Sequence, residues 1–320
     1  MQTVLVTGGC GIIGRYICSG LLKKGCTVIA VDREPSDYNE GKLRYTFVQC
    51  QPTDKATLSE LFENNKIDVF IHAACTVDND LDPIITEAQI TESKQVDKFI
   101  YRYALTENVK KAVLLSTDQV YDFPNTREPI REEDDIKTKT NYSIMKYESE
   151  KAFVTELKHH TDVMGCIVRY APVYTLNYTE NLMAKITDPR DGGKFVYGKG
   201  QYGFQLCCVH SLVDFILCFV LNADDMKYAG TYNIGDKQLT TAADIISFMR
   251  EKHHLGAVLQ KTPSGSISSK IKGLFGGTSK EEKTNYRYLD LTKLEYNNML
   301  DTTKASKLAA TFRWDIHNTK

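Results

Sequence analysis

Thr3-Val4-Leu5-Val6-Thr7-Gly8-Gly9-Cys10-Gly11-Ile12-Ile13-Gly14 is the stretch on which the fold reading turns. A short apolar run, Thr3–Val6, reads as a buried strand. The glycines then make a tight turn, and Ile13, Ile17 and Leu21 recur every four residues as one buried helix face. Gly9, Gly11 and Gly14 form a G-x-G-x-x-G spacing. Glycine there allows a tight turn, close approach of backbone to a pyrophosphate, and close packing of helix on strand. A helix that starts at such a turn presents free N–H groups and the positive end of its dipole to an anion. Asp32 ends the next apolar run, 18 residues past Gly14. Its carboxylate suits two ribose hydroxyls and repels a 2′-phosphate, which favours NAD over NADP. Arg33 beside it weakens that preference, because an arginine there suits a 2′-phosphate.

Outward from this stretch, strand-length runs alternate with helical patterns. Strands are expected at Thr27–Val31, Tyr45–Val48, Val69–His72, Ala112–Leu115 and Gly165–Val168. Helices are expected at about 12–24, 54–65, 83–107 and 140–160. This alternation predicts βαβ units and a parallel sheet covered on both faces. The fold class is therefore α/β: a Rossmann-type doubly wound parallel sheet with a smaller C-terminal α/β substrate lobe. The expected division is residues 1–172 with 206–235 as the dinucleotide domain, and 173–205 with 236–320 as the substrate lobe. After about residue 172 the alternation weakens: Gln205–Val209 and Thr231–Ile234 read as strands, and 211–223 and 244–254 as helices. Thr262–Lys283, rich in Gly, Ser and Lys, reads as a long loop.

Composition narrows the class. The chain has 320 residues, 42% apolar and 25% charged, with a net charge of −1. That balance lacks the basic footprint of a nucleic-acid binder and the high net charge of a disordered chain. The longest apolar run, Leu212 to Leu221, contains Asp214 and is half the length of a membrane span. The N-terminus has no basic region or cleavage site of a signal peptide. Nine cysteines, mostly inside apolar runs and with no C-x-x-C pair, read as reduced core thiols of a cytoplasmic protein rather than disulfides or a metal site. The neighbouring Cys207 and Cys208 are the one pair with redox potential. No metal is expected.

A second constellation carries chemistry. Tyr142 and Lys146 are four residues apart, on one face of the expected helix. Ser116 and Thr117 follow a strand end, where ligands of open α/β sheets bind. A phenol beside an ammonium is biased toward phenolate. Such a phenolate removes a hydroxyl proton while hydride leaves the same carbon, and Thr117 binds the reacting oxygen.

Together these motifs resemble the extended short-chain dehydrogenase/reductases, in the NAD-dependent epimerase/dehydratase group. Thr7-Gly8-Gly9-Cys10-Gly11-Ile12-Ile13-Gly14 is similar to that family's T-G-G-x-G-x-x-G. The resemblance implies cofactor contacts from Gly8, Gly11, Ile12, Ile13, Gly14, Asp32, Arg33, Asp54, Tyr142 and Lys146, and from the His72-Ala73-Ala74 stretch. Ser116-Thr117-Asp118-Gln119-Val120-Tyr121 resembles the S-[ST]-x-x-V-Y strand end. Tyr232-Asn233-Ile234-Gly235 and Asp301-Thr302-Thr303-Lys304-Ala305 resemble further family motifs. It implies Thr117, Tyr142, Lys146 and Asp118 as catalytic, NAD as cofactor, a nucleotide sugar as substrate and a homodimer.

Three reactions are compatible. A 4-epimerase needs Thr117, Tyr142, Lys146 and NAD. A 4,6-dehydratase has T-D-E where this chain has Thr117-Asp118-Gln119, and an amide does not titrate near neutral pH. A dehydrogenase or reductase of a smaller hydroxyl or ketone compound uses the same hydride chemistry, and a non-catalytic NAD sensor is a further alternative. Two departures bear on the substrate. Pro172 stands where the family often has a sugar-nucleotide Asn. Leu206-Cys207-Cys208 stands where R-D-F often supplies an Arg to the diphosphate, a role for which its bidentate fork is suited. Lys199, Arg190 and the lysines of 261–283 are the expected substitutes, the last on a loop able to act as a lid.

Overall fold

The computed structural model describes residues 2–75, 85–105, 108–121, 128–188, 191–261, 299–309 and 314–319. In chain order the first half consists of β1 (Thr3–Thr7), α1 (Ile12–Lys23), β2 (Thr27–Asp32), β3 (Tyr45–Gln49), α2 (Lys55–Asn64), β4 (Val69–His72), α3 (Glu87–Ala104), β5 (Lys111–Leu115), α4 (Asn141–Leu157) and β6 (Met164–Tyr170). The second half consists of β7 (Val173–Tyr174), α5 (Glu180–Ala184), β8 (Phe195–Tyr197), β9 (Gly203–Phe204), β10 (Cys207–Cys208), α6 (Val209–Asn222), β11 (Gly230–Ile234), β12 (Thr240–Thr241), α7 (Ala242–His253), β13 (Leu259–Lys261) and α8 (Thr303–Leu308).

A seven-stranded sheet runs in the order β11-β6-β5-β4-β1-β2-β3, with every neighbour pairing parallel. Alternate residues of each strand feed opposite cores, as the period of two requires. Val4, Val6, Val28 and Ala30 join α1 and α6 on one face. Leu5, Ile29 and Val31 join α2, α3 and α4 on the other. A parallel sheet buried on both faces needs mostly apolar strands, and β4 and β5 are buried at every position and apolar but for His72 and Lys111 at their ends.

A third core, with Tyr174, Leu182, Ile186, Leu206, Ile245 and Phe248, gathers β7, α5, β10 and α7. The short two-stranded pairings β10 with β7, β12 with β9 and β13 with β8 frame it.

Most expected elements appear within a few residues of their bounds. Helix α3 starts at Glu87 because Thr86 and Gln89 close a reciprocal capping box there. The 205–209 run divides: β10 takes Cys207–Cys208, and α6 begins at Val209, two residues before the expected start. The strands β8, β9, β12 and β13 are too short to produce a sequence periodicity. The 262–283 loop and Arg190 lie outside the described residues. Among the described residues, no helix is long and apolar enough to cross a membrane.

Candidate active site

The glycine turn begins where β1 ends. Gly8 has φ +70° and donates its N–H to Val31 O at 2.8 Å. A Cβ on Gly8 would lie 2.6 Å from the Ala74 nitrogen. One on Gly14 would lie 2.0 Å from the Gly8 carbonyl oxygen, so helix and turn meet backbone to backbone. Gly11 occupies the N-cap of α1 without a capping side chain, and the first turn carries no acidic residue. The opening amides of α1, at Ile12, Ile13 and Gly14, are thus left for an external acceptor.

Asp32 closes the other side. Its Oδ2 accepts the Cys10 N–H at 2.9 Å and its Oδ1 the Arg33 N–H at 2.8 Å. The carboxylate therefore ties the glycine turn to the end of β2. Each oxygen keeps a further lone pair for a hydroxyl. Gln49 Nε2 donates to Arg33 O at 2.9 Å, which fixes the start of the following loop.

Two positions named by the resemblance have protein partners. Asp54 is exposed and caps α2, accepting the Thr57 N–H at 3.1 Å and the Thr57 hydroxyl at 2.7 Å. These bonds hold its carboxyl below the usual range. His72 is buried, with Nδ1 2.7 Å from Thr7 Oγ1 and Nε2 3.3 Å from Asp97 Oδ1. Both ring nitrogens therefore clamp β1, β4 and α3 together beneath the sheet edge. The next residue, Ala73, donates its N–H to Thr7 O at 3.0 Å. Ala74 is the wall against Gly8.

The second constellation stands on the same sheet edge. Ser116 continues β5 by donating its N–H to Val168 O at 2.8 Å. Thr117 is buried and extended, and its Oγ1 accepts the Gln119 N–H at 3.2 Å, capping the 3-10 turn Asp118–Val120. Thr140 and Ser143 form the capping box that starts α4. Tyr142 is half-buried in the first turn, and Lys146 is buried one turn later. Ser149, Glu150 and Phe153 continue the buried side of the helix.

Burial pushes the Asp118 carboxyl up to about 7, although the Lys185 charge and the Thr117 hydroxyl pull it down. Lys185 was not singled out in the sequence. It follows the short helix α5, is buried, and has Nζ 5.6 Å from the Phe204 ring centroid. A solitary lysine at a helix end carries no sequence signal. Burial likewise raises Asp236 to about 7, with Tyr174 Oη and the Cys208 N–H each donating to it at 2.8 Å.

Leu206, Cys207 and Cys208 are fully buried, and both thiols are free. They present no cation to the cleft. Lys199 is exposed beside Arg250 on a groove floored by Val196 and Ile246. Lys261 pairs with Asp188 at 3.3 Å and lies over the Phe195 ring.

Residues 4–235 match the model of the NAD dependent epimerase/dehydratase family. The chain belongs to that family. The family is NAD-dependent, and the α1 amides with Asp32 are the groups of this chain that fit a dinucleotide. A dTDP-D-glucose 4,6-dehydratase of Dictyostelium discoideum is 33% identical over 136 residues, 38% of this chain and 30% of that one. A UDP-glucose 4-epimerase of Halalkalibacterium halodurans is 29% identical over 155 residues, 48% of this chain and 45% of that one. The chain thus spans between 30% and 45% of the length of these two curated relatives. The solved structure of a UDP-glucuronic acid 4-epimerase from Bacillus cereus in complex with NAD superposes with a TM-score of 0.71 at 19% identity, covering 99% of this chain and 96% of that one. At that identity the likeness is one of fold.

Two outcomes are expected from this epimerase/dehydratase site. Gly14→Ala forces a methyl group onto the Gly8 carbonyl and destabilises the fold by roughly 1–3 kcal/mol. It also weakens NAD binding, measurable together by thermal melting and calorimetric titration. Asp118 and Asp236, with carboxyls raised to about 7 from the ordinary aspartate range of about 4, bind protons more tightly folded than unfolded. Their contribution is therefore neutral below about pH 4, and stability is lost as pH rises to about 7. Asp118→Asn removes its share, on the order of 4 kcal/mol at most. Melting curves between pH 4 and 8 should fall less steeply for that variant.

Proposed function

We propose that this protein is an NAD-dependent enzyme of nucleotide sugars with 4-epimerase chemistry. The observation that carries the reading is the pairing of two groups on one sheet edge. The uncapped amides of α1 with Asp32 stand on one side, and Thr117 with Tyr142 and Lys146 on the other. NAD, when bound, supplies the hydride acceptor and returns the hydride. Tyr142 as phenolate takes the proton of the sugar hydroxyl as the carbon gives up hydride, and gives it back to the same oxygen once the ketone has turned its other face to the returning hydride. The Lys146 ammonium favours the phenolate, and Thr117 hydrogen-bonds the reacting oxygen. Asp118, buried beside Thr117 and raised to about 7, is divided between its protonated and ionised forms near neutral pH.

Gln119 weighs against dehydration. Its amide has no titrating atom to remove a proton from the sugar, where the dehydratase pattern places a Glu. A second reading, a reductase of a smaller ketone, draws support from the buried Leu206-Cys207-Cys208 stretch, which itself carries no cation where the family often has an Arg. The homodimer, the cytoplasmic location and the division into residues 1–172 with 206–235 and 173–205 with 236–320 belong to the proposal. The division is supported by β11 pairing with β6 and by the separate third core.

A panel of UDP-, dTDP- and GDP-sugars should raise the melting temperature of the NAD-loaded protein, and one should reduce bound NAD transiently at 340 nm. No response across the panel, with steady NADH consumption on a small ketone, sinks the first reading in favour of the second. Tyr142→Phe keeps the ring and loses only the base. It should cut turnover roughly a hundredfold or more while leaving NAD affinity near wild type. Unchanged turnover in that variant refutes the assigned proton transfer.

A further inference from the structure

We infer that Glu150 is a positioning residue for this site, locking the strand end that carries Thr117 to the helix that carries Tyr142 and Lys146. The inference rests on the proposed function above. Glu150 is one turn beyond Lys146 and two beyond Tyr142, so the three share a face of α4. Its Oε1 accepts the hydroxyl of Ser116, the residue immediately before Thr117. The same oxygen accepts Arg169 Nε at 3.1 Å, and Oε2 accepts Arg169 Nη2 at 2.7 Å. Ser116, Glu150 and Arg169 are 0%, 2% and 6% exposed, so none is offered to a ligand.

Arg169 carries the lock around the far side of Thr117. Its Nη1 donates to Tyr121 Oη at 3.0 Å and to Glu132 O at 3.3 Å. Tyr121 directly follows the Asp118–Val120 turn and donates to Asn233 Oδ1 at 2.7 Å, reaching β11. The turn that holds Thr117 is thus gripped before and behind by one connected network. All three guanidinium nitrogens are engaged by protein atoms.

Stability does not explain why this network is charged. Desolvating a carboxylate and a guanidinium is costly, and apolar replacements of similar volume are often equally stable. A two-pronged Arg–carboxylate pair supplies fixed direction as well as energy. Direction is what proton and hydride transfer require, since a displacement of about 1 Å can cost roughly a hundredfold in rate.

Ser116→Ala tests this, because it cuts the link to Thr117 and spares the Glu150–Arg169 pair. The readouts are turnover of the nucleotide sugar that reduces bound NAD, its KM, NAD affinity and the melting temperature. The expected result is a fall in kcat of roughly tenfold or more, with KM and NAD affinity within about twofold and melting nearly unchanged. Glu150→Gln should lower kcat further. Wild-type kcat in Ser116→Ala overturns the inference, as does a loss confined to KM, NAD affinity or melting. A wild-type protein inert toward every nucleotide sugar instead refutes the functional reading, and the inference falls with it.

Discussion

Parallel pairing is the constraint on which this molecule depends. Two parallel strands cannot be joined by a hairpin, so each must return by a crossover before the next is laid down. All seven strands of the main sheet run the same way, and their carboxyl ends line a single edge. The order reverses at β1, whose neighbours are β2 on one side and β4 on the other. At such a reversal the connections diverge to opposite faces and leave a crevice. The glycine turn stands in that crevice, with Asp32, His72, Thr117 and Tyr170 at or just beyond neighbouring strand ends.

The crevice must be both tight and rigid. Tightness comes from missing side chains: Gly14 against the Gly8 carbonyl, and Gly8 against Ala74. Rigidity comes from buried polar side chains just below the edge. Thr7, His72 and Asp97 tie β1 and β4 to α3, while Ser116, Glu150 and Arg169 tie β5, α4 and β6. Buried polar groups are costly unless satisfied, and these are satisfied by one another. A fully connected layer of this kind specifies one geometry where an apolar core tolerates several.

Residues 206–208 differ from the R-D-F run that the family resemblance leads one to expect there. The Leu206–Cys208 stretch is turned wholly into the core, held by Asp236 through the Cys208 N–H. The ionisable groups buried in this part of the described structure include Asp118, Lys185, Asp188 and Asp236, and the Lys185 charge only partly offsets the upward push of burial on the Asp118 carboxyl.

The sequence by itself determined what depends on neighbours a few residues apart. The glycine spacing announces the turn because only a residue without Cβ fits at Gly8 and Gly14. Tyr142 and Lys146 announce a shared helix face because four residues make about one turn. Dense apolar runs at β1, β4 and β5 announce strands buried on both sides. Only the tertiary structure decided which distant groups meet. It directed the His72 ring to Thr7 and Asp97, used Asp54 as a helix cap, brought Lys185 to Asp118, and set Glu150 between Ser116 and Arg169. Periodicity reports a residue's own helix or strand. It does not report which side chains from separate elements are brought together when those elements pack, and buried polar groups find their partners only then.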